Sequence, residues 1–508
     1  MATINGVDQL LTNDDKYTQL GSGYKQYNFL QKFSYKSAAG FLHSLNAQYA
    51  TSSTINRYDR LSETTSTGLK HAEWYYGPQQ RFLGVYNLQK GLAFLDSNLN
   101  INLSYQKVKE SRHNRRFDNY NLQNRIENVA IYALGFDLTK KFKNADLYYG
   151  FESYFENLKS TANTLNVNTN AFGNLDSRYP NGRNNMFRND FYVSYNQKLD
   201  AQTFWNTGAR LGYTLLRSTI ADNSFFELPF TSISQNNITY SGNLGVTHNT
   251  SKNFTLKLNV ASGFRVPNID DLAKIFESVA GTASQPGLLI VPNADLKPER
   301  TLTIDLSFVL QSDSQKIKFE NTYFYTRLYD AIVTSEFLYN GQSSVLYNGY
   351  MSQVFANQNT GKAFITGLSS SLFVELVRNL NFNANFNYTL GRVVEDGSQT
   401  PLDHISPFFG KIGLAYNKKW VSLEGYLLYN GKKYAKDYST SGEDNAQYAP
   451  VGGMSAWETY NFKAGIHVFN GAKLYLGIEN ILDTQYRTFS SGINAPGRNC
   501  YGGLKYGF

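Results

Sequence analysis

The chain has one cysteine, Cys500, so it can form no internal disulfide, and it has no CxxC pair to suggest a zinc or iron–sulfur site. It also lacks any run approaching the roughly 18 to 20 consecutive apolar residues that a membrane-spanning helix needs. Mean hydropathy is −0.42, which by itself describes a soluble chain. That description fails for strands of which only alternate residues meet lipid. The opening Met1-Ala-Thr-Ile-Asn-Gly-Val-Asp8 carries neither the basic nor the apolar region of a secretory signal. No GxSxG elbow, HExxH helix or phosphate-binding loop is present, so no enzyme activity is expected. The net charge of +8 is spread along the chain. Without a basic helix or stripe, nucleic acid is not an expected partner.

What the sequence does contain is aromatic: 38 Tyr and 35 Phe against only 11 Pro, a composition suited to strands. In Leu380-Asn-Phe382-Asn-Ala384-Asn-Phe386-Asn-Tyr388 one face is apolar and the other is entirely Asn. The same two-residue period runs through Leu99–Tyr105, Phe254–Val260, Leu302–Phe308 and Leu474–Ile478. Each segment fits the roughly 9 to 11 residues of a tilted strand crossing a bilayer.

About nineteen such strands are predicted, beginning near residues 26, 40, 79, 99, 125, 145, 187, 202, 234, 254, 300, 315, 361, 379, 408, 420, 458, 471 and 499. Tight turns, such as 142–144, 251–253 and 470–471, alternate with long connections. The long ones are 51–78, 110–124, 157–186, 219–234, 265–299, 330–360, 393–406, 432–457 and 483–498. Alternating loop length means that successive hairpins open on opposite sides. The expected fold is therefore all-β: a transmembrane antiparallel β-barrel with short periplasmic turns and long extracellular loops, in the outer membrane of a Gram-negative bacterium. The last residue, Phe508, closes an alternating aromatic segment that belongs at the periplasmic girdle. Counting back from it, the first strand runs inward from the cell surface, so N-terminal strands are expected to be missing from this chain. Residues 1–25 are expected to be the remnant of an extracellular loop, and 26–508 a single barrel domain.

Two ordered pairs of motifs then resemble a known family. Ser262-Gly-Phe264-Arg265-Val-Pro267-Asn-Ile-Asp270-Asp-Leu272 with Val291-Pro-Asn293-Ala-Asp295-Leu296-Lys-Pro298-Glu299, and Gly477-Ile-Glu-Asn480-Ile-Leu-Asp483 with Ala495-Pro-Gly497-Arg498, resemble the boxes of TonB-dependent outer-membrane receptors. Asn56-Arg-Tyr58-Asp59-Arg60-Leu61 and Ala72-Glu73-Trp74-Tyr75-Tyr76-Gly77-Pro78 look most like receptors of Bacteroidetes-type bacteria. The resemblance implies a barrel of twenty-two strands of which about nineteen are present, a plug domain absent from this chain, and coupling to the TonB energy-transducing complex through that plug. It implies active uptake of a scarce iron chelate, siderophore or haem. A passive porin-like channel and a barrel-anchored surface adhesin are the alternatives. From the residues themselves, Pro267 and Pro298 fix backbone angles where strand gives way to loop, and the neighbouring Asn and Asp residues favour turns. Phe264, Arg265, Pro267, Asn293, Leu296, Pro298, Glu299, Asn480, Asp483, Gly497, Arg498 and Phe508 are accordingly read as architectural.

For ligand capture, Arg112, His113, Arg115 and Arg116 on one extracellular connection, with Trp74, Tyr75 and Tyr76 on the preceding one, offer cations and aromatic faces to an anionic chelate. The same residues would equally suit an outer aromatic girdle meeting the phosphates of outer-membrane lipid. Residues 268–292 contain no His, Cys, Met or Tyr, which disfavours haem ligation from that loop. His43, His248 and His467 fall on strands. His71, His113 and His404 fall in or beside long connections and are the histidines to test. No resident metal or cofactor is expected.

Overall fold

The computed structural model describes the chain apart from residues 1, 5–6, 11, 66–67, 94–95, 225–229, 280, 282–284, 348, 360, 396, 440–443, 470 and 508. Phe508 and the turn residue Asn470 therefore lie outside the described residues. The wall is a barrel of antiparallel strands: β1 (Gln26–Lys36), β2 (Leu42–Ser52), β3 (Gln80–Leu92), β4 (Ser97–Arg116), β5 (Asn121–Lys141), β6 (Ala145–Asn166), β7 (Asn184–Lys198), β8 (Thr203–Thr219), β9 (Ser232–Ser251), β10 (Phe254–Arg265), β11 (Glu299–Gln311), β12 (Ile317–Tyr329), β13 (Lys362–Val377), β14 (Leu380–Glu395), β15 (Phe409–Lys418), β16 (Val421–Asn430), β17 (Trp457–Phe469), β18 (Ala472–Glu479) and β19 (Asn499–Tyr506). Each of the nineteen expected strands is present. Pairing runs from β1 to β19, and among the described residues each of these two end strands has one strand neighbour.

The two-residue period puts apolar side chains outside and polar ones inside. Leu258 on β10 faces Leu306 on β11, which faces Tyr323 on β12, and all three are exposed. In water this would be a large apolar surface; in lipid it is the matched one. On the opposite face, Lys257 reaches Glu320 at 3.0 Å and Thr303 reaches Thr326 at 2.9 Å across the same strands. Such pairs satisfy polar groups inside the lumen.

Phe82, Tyr105, Tyr132 and Phe155 form a row of rings across β3 to β6, with centroids 6.3, 5.0 and 6.3 Å apart. This is an aromatic girdle of the kind that sits at a membrane interface. Several strands do not stop there. β4, β5 and β6 have 20, 21 and 22 residues, about twice what a bilayer requires. The connection expected over 110–124 is thus a continuous hairpin turning at 117–120, and much of 157–186 is strand as well. Apolar alternation ends at the girdle because neither face meets lipid beyond it, whereas the backbone ladder continues.

Above the barrel, connections 266–298 and 330–361 build a sheet from Phe276–Val279, Gly287–Val291, Ile332–Glu336, Ser344–Tyr347 and Tyr350–Asn359. Leu289, Val291, Tyr347, Val354 and Ala356 are buried in its core. A second core joins Leu272, Ala273 and Leu296 to Leu216 and Ile233 of the barrel strands. The long loops are consequently packed onto the barrel mouth.

Candidate functional site

The motif residues sit where the wall gives way to these loops. Arg265, ending β10 after Phe264, pairs with Asp271 at 2.6 Å and with Glu299 across the ladder. Asn268 caps the short helix Ile269–Ala273, and Pro267 is fully buried. Glu299, just after Pro298, accepts from the Ile332 amide at 2.6 Å. Asn293 donates to the Asn357 carbonyl at 2.8 Å, and Leu296 is buried in the second core. In the last loop Asn480 is buried with φ +51° and donates to the Thr484 and Pro496 carbonyls. Asp483 accepts from the Arg498 amide at 2.7 Å. A Cβ on Gly497 would lie 2.5 Å from the Asp483 Oδ1, so that position needs glycine.

Loop capture groups are sorted by strand parity. Trp74, Tyr75 and Tyr76 are on a strand, His71–Tyr76, that pairs with β4: Arg112 opposite Tyr76, His113 opposite Tyr75, Asn114 opposite Trp74. Neighbours along a strand point to opposite faces. Trp74, Tyr76 and Arg112 therefore line an inward cavity of about 270 Å³. Tyr75 and His113 stack on the other face with centroids 4.6 Å apart, and His113 Nδ1 lies 2.6 Å from Asn124 Oδ1. Arg115, also outward, is buried between Asp8 at 2.8 Å and Glu73 at 2.7 Å. Arg116 follows an irregularity in the ladder and lies over the Tyr350 ring at 5.2 Å. The seven residues are neighbours in sequence but do not form one surface.

The cavity brings in residues that the sequence reading did not single out as ligands: Arg57, Arg60, Lys70, Arg125, Arg178, Phe276 and Tyr347, together with His71. Most of these cations have a carboxylate. Arg57 pairs with Asp59 and lies over Trp74 and Tyr76 at 5.0 and 5.4 Å. Arg60 and Lys70 share Glu63, Arg125 holds Asp176 at 2.9 Å, and Arg178 holds Asp270 at 3.1 Å. Arg112 differs from them. Among the described residues it has no carboxylate at ion-pair distance; its guanidinium lies 5.8 Å from the Tyr76 ring centroid and its buried Nη1 has no hydrogen-bond partner.

Burial pushes the His71 imidazole down to about 4, although Glu63 nearby pulls the other way. The ring is therefore neutral at physiological pH. Burial likewise raises the Glu127 carboxyl, against the pull of Arg112 and Arg178. Bonds between connections close the roof: Tyr347 to Asp176 at 2.7 Å, Tyr179 to Asp270 at 2.6 Å and Tyr448 to Glu63 at 3.1 Å. His404 lies elsewhere, its amide held by Asp444 at 2.7 Å. No group of three or more metal-ligating side chains occurs among the described residues.

The family model described as "TonB dependent receptor-like, beta-barrel" matches residues 5–481. The chain belongs to the TonB-dependent receptor β-barrel family. It is 25% identical over 318 residues to the probable TonB-dependent siderophore receptor PirA of Acinetobacter baumannii, covering 58% of this chain and 42% of that protein. It is 26% identical over 167 residues to a hemoglobin and hemoglobin-haptoglobin-binding protein B of Haemophilus influenzae, covering 31% of this chain and 14% of that protein. The chain thus spans less than half the length of the curated relatives it matches. Among solved structures, the copper transporter OprC has a similar fold, with TM-score 0.75, 13% identity, and 95% of this chain and 72% of that chain covered. The siderophore receptor PirA gives TM-score 0.69 at 16% identity, over 97% and 73% of the two chains. This TonB-dependent receptor barrel is a protein of the outer membrane, and its relatives are transport receptors. Its cavity lies at the barrel mouth, among the roof connections and the extracellular ends of β4 and β5.

Proposed function

We propose that this barrel serves TonB-coupled uptake of an anionic iron chelate, with the inward cavity as the first capture point. The observation that carries the reading is Arg112, a half-buried cation with aromatic neighbours, no carboxylate at ion-pair distance among the described residues, and a buried Nη1 without a hydrogen-bond partner. A buried charge without a partner is costly, and a ligand carboxylate or catecholate oxygen removes that cost. Arg57, Trp74 and Tyr76 provide the stacking surface beside it. At about 270 Å³ the cavity is below the roughly 300–1,000 Å³ of whole-ligand sites. It suits one arm of a chelate whose remainder rests against the roof. Coupling to TonB through a plug is part of the same reading. Growth of cells carrying the full-length receptor on ferric siderophore as sole iron source tests it; growth independent of the receptor would sink it.

Haem is the second reading, favoured by His71. This imidazole is neutral, lines the cavity, and has a buried Nδ1 with no hydrogen-bond partner, which is the state in which histidine ligates iron. A porphyrin exceeds the cavity as it stands, so this reading requires the roof to open. Loss of the haem Soret shift in His71→Ala, with siderophore growth intact, would favour haem over siderophore.

A further inference from the structure

A second cavity, of about 250 Å³, lies beside the first at the mouth of the lumen. Arg178 lines the one and Tyr179 the other, so consecutive residues divide them. The walls of the second are aliphatic: Val129 and Leu158 stand opposite one another on β5 and β6, and Met186 and Leu216 on β7 and β8. Four carboxylates reach the same space, those of Glu110, Glu127, Glu156 and Asp270. Two of them already hold cations. Glu156 pairs with Arg188 at 2.5 Å, and Asp270 takes Arg178 and Lys274 at 3.1 Å each. Glu110 and Glu127 face one another across β4 and β5 with no cation at ion-pair distance among the described residues. Arg112 and Arg178 attract Glu127 only from farther away. The Glu127 side chain is 1% exposed, its Oε1 accepts from Ser160 at 3.4 Å, and its buried Oε2 has no hydrogen-bond partner. A buried carboxylate so placed is costly until a proton or a cation meets it.

We infer that this cavity is a binding site for the alkylammonium arm of a zwitterionic ligand: the carbon stem against Leu158, Met186 and Leu216, the ammonium between Glu110 and Glu127. The inference rests on the capture role proposed for the first cavity, and it narrows the ligand. The Arg112–Arg125 rung and the Glu110–Glu127 rung follow one another on the lumen side of β4 and β5, about 7 Å apart. A ligand that satisfies both carries an anionic oxygen and an ammonium at about that separation. An ammonium presents three donors at the end of a flexible carbon stem, which fits two facing carboxylates beside aliphatic walls. A calcium ion needs about six to eight oxygens, and the rest of the lining has few to give: Asn184 Oδ1 already accepts from Ser218 at 2.6 Å.

Calorimetry on the purified full-length receptor tests the inference with two ferric catecholate chelates, one carrying a free aminobutyl arm and the other the same arm acetylated. The wild type should bind the free amine about tenfold or more tightly than the acetylated form, the value of a charge-assisted hydrogen bond. In the double variant Glu110→Gln, Glu127→Gln that preference should vanish while the acetylated chelate binds as before. Arg112→Gln should weaken both chelates alike. The third probe is n-butylammonium chloride alone, which should raise the melting midpoint of the wild type and not that of the double variant, with 1-butanol giving no such rise. Heat-modifiable electrophoretic mobility identifies which variants are folded, and Glu110→Gln alone serves if the double variant is not. Failure of both chelates to bind, with the butylammonium response intact, would overturn the capture reading but support the alkylammonium site. Equal affinity for the two chelates, a butylammonium response that survives in the folded variant, or a larger response to calcium that the same variant loses would each overturn the inference.

Discussion

Arg112 and Arg125 stand directly opposite one another on β4 and β5, two guanidinium groups facing inward from adjacent strands. Like charges so placed oppose the pairing of their strands. Arg125 is neutralised by Asp176, which is in turn held by Tyr347 from a distant connection; Arg112 has no carboxylate at ion-pair distance among the described residues. One rung below, Glu110 faces Glu127 in the same register, so the pattern repeats with the opposite sign. This sequence of charges is poor for a bare hairpin and suited to binding an ion.

Replacing Arg112 should therefore separate binding from stability. Arg112→Gln is expected to weaken a ferric catecholate or carboxylate chelate by about tenfold or more, the value of a charge-assisted hydrogen bond, while leaving the thermal midpoint unchanged or raised. Fluorescence titration and a melting curve on the same sample read both, and a lowered midpoint with intact affinity would contradict the assignment.

His71 gives a pH dependence whose sign follows from its depressed value of about 4. In the folded protein the ring stays neutral, while an opened segment takes up a proton as pH falls below about 6.5. Acid between about 6.5 and 4 should thus favour opening of the segment around His71. Melting midpoints measured from pH 7 to 4.5 should fall more steeply in the wild type than in His71→Gln. Parallel curves would remove His71 from the explanation.

Leu296 anchors the large loop by packing with Leu216, Ile233 and Leu272. Leu296→Ala should destabilise that loop core by about 2–5 kcal/mol without opening the barrel. Limited proteolysis should then cut within 266–298 sooner, with heat-modifiable mobility retained.

Gly497→Ala forces a Cβ against the Asp483 carboxylate that receives the Arg498 amide. A cost of about 1–3 kcal/mol is expected from loss of that hydrogen bond and local strain. In the Asp483→Ala background the same substitution should cost much less, because the two residues act through one contact. Additive melting shifts would show that the clash is relieved in some other way.

The barrel was legible because lipid imposes a two-residue period on every crossing strand and closes each hairpin with turns of alternating length. Leu380 to Tyr388 shows this on its own, and the positions of all nineteen strands followed from it. The capture site was far less legible. The sequence brought Trp74, Tyr75, Tyr76 and the Arg112 to Arg116 cluster together as neighbours, but their faces depend on register across three strands. Above the girdle no hydrophobic period marks that register, so 110–124 reads as loop. Arg57, Arg125 and Arg178 are up to 121 residues apart in the numbering, and nothing local to any of them indicates a common cavity.

By itself, then, the sequence determined the all-β wall, its lipid and lumen faces, the side bearing the long loops, and the motifs that resemble the family. Tertiary structure decided which charges meet. Ladder register set Arg112 against Arg125 and turned His113 away, and loop packing brought Asp176 to Arg125 while bringing no carboxylate to ion-pair distance of Arg112 among the described residues. The division has a physical cause: partition between lipid and water acts on each residue where it stands in its strand, whereas charge pairing depends on distances that only the paired wall and packed loops fix.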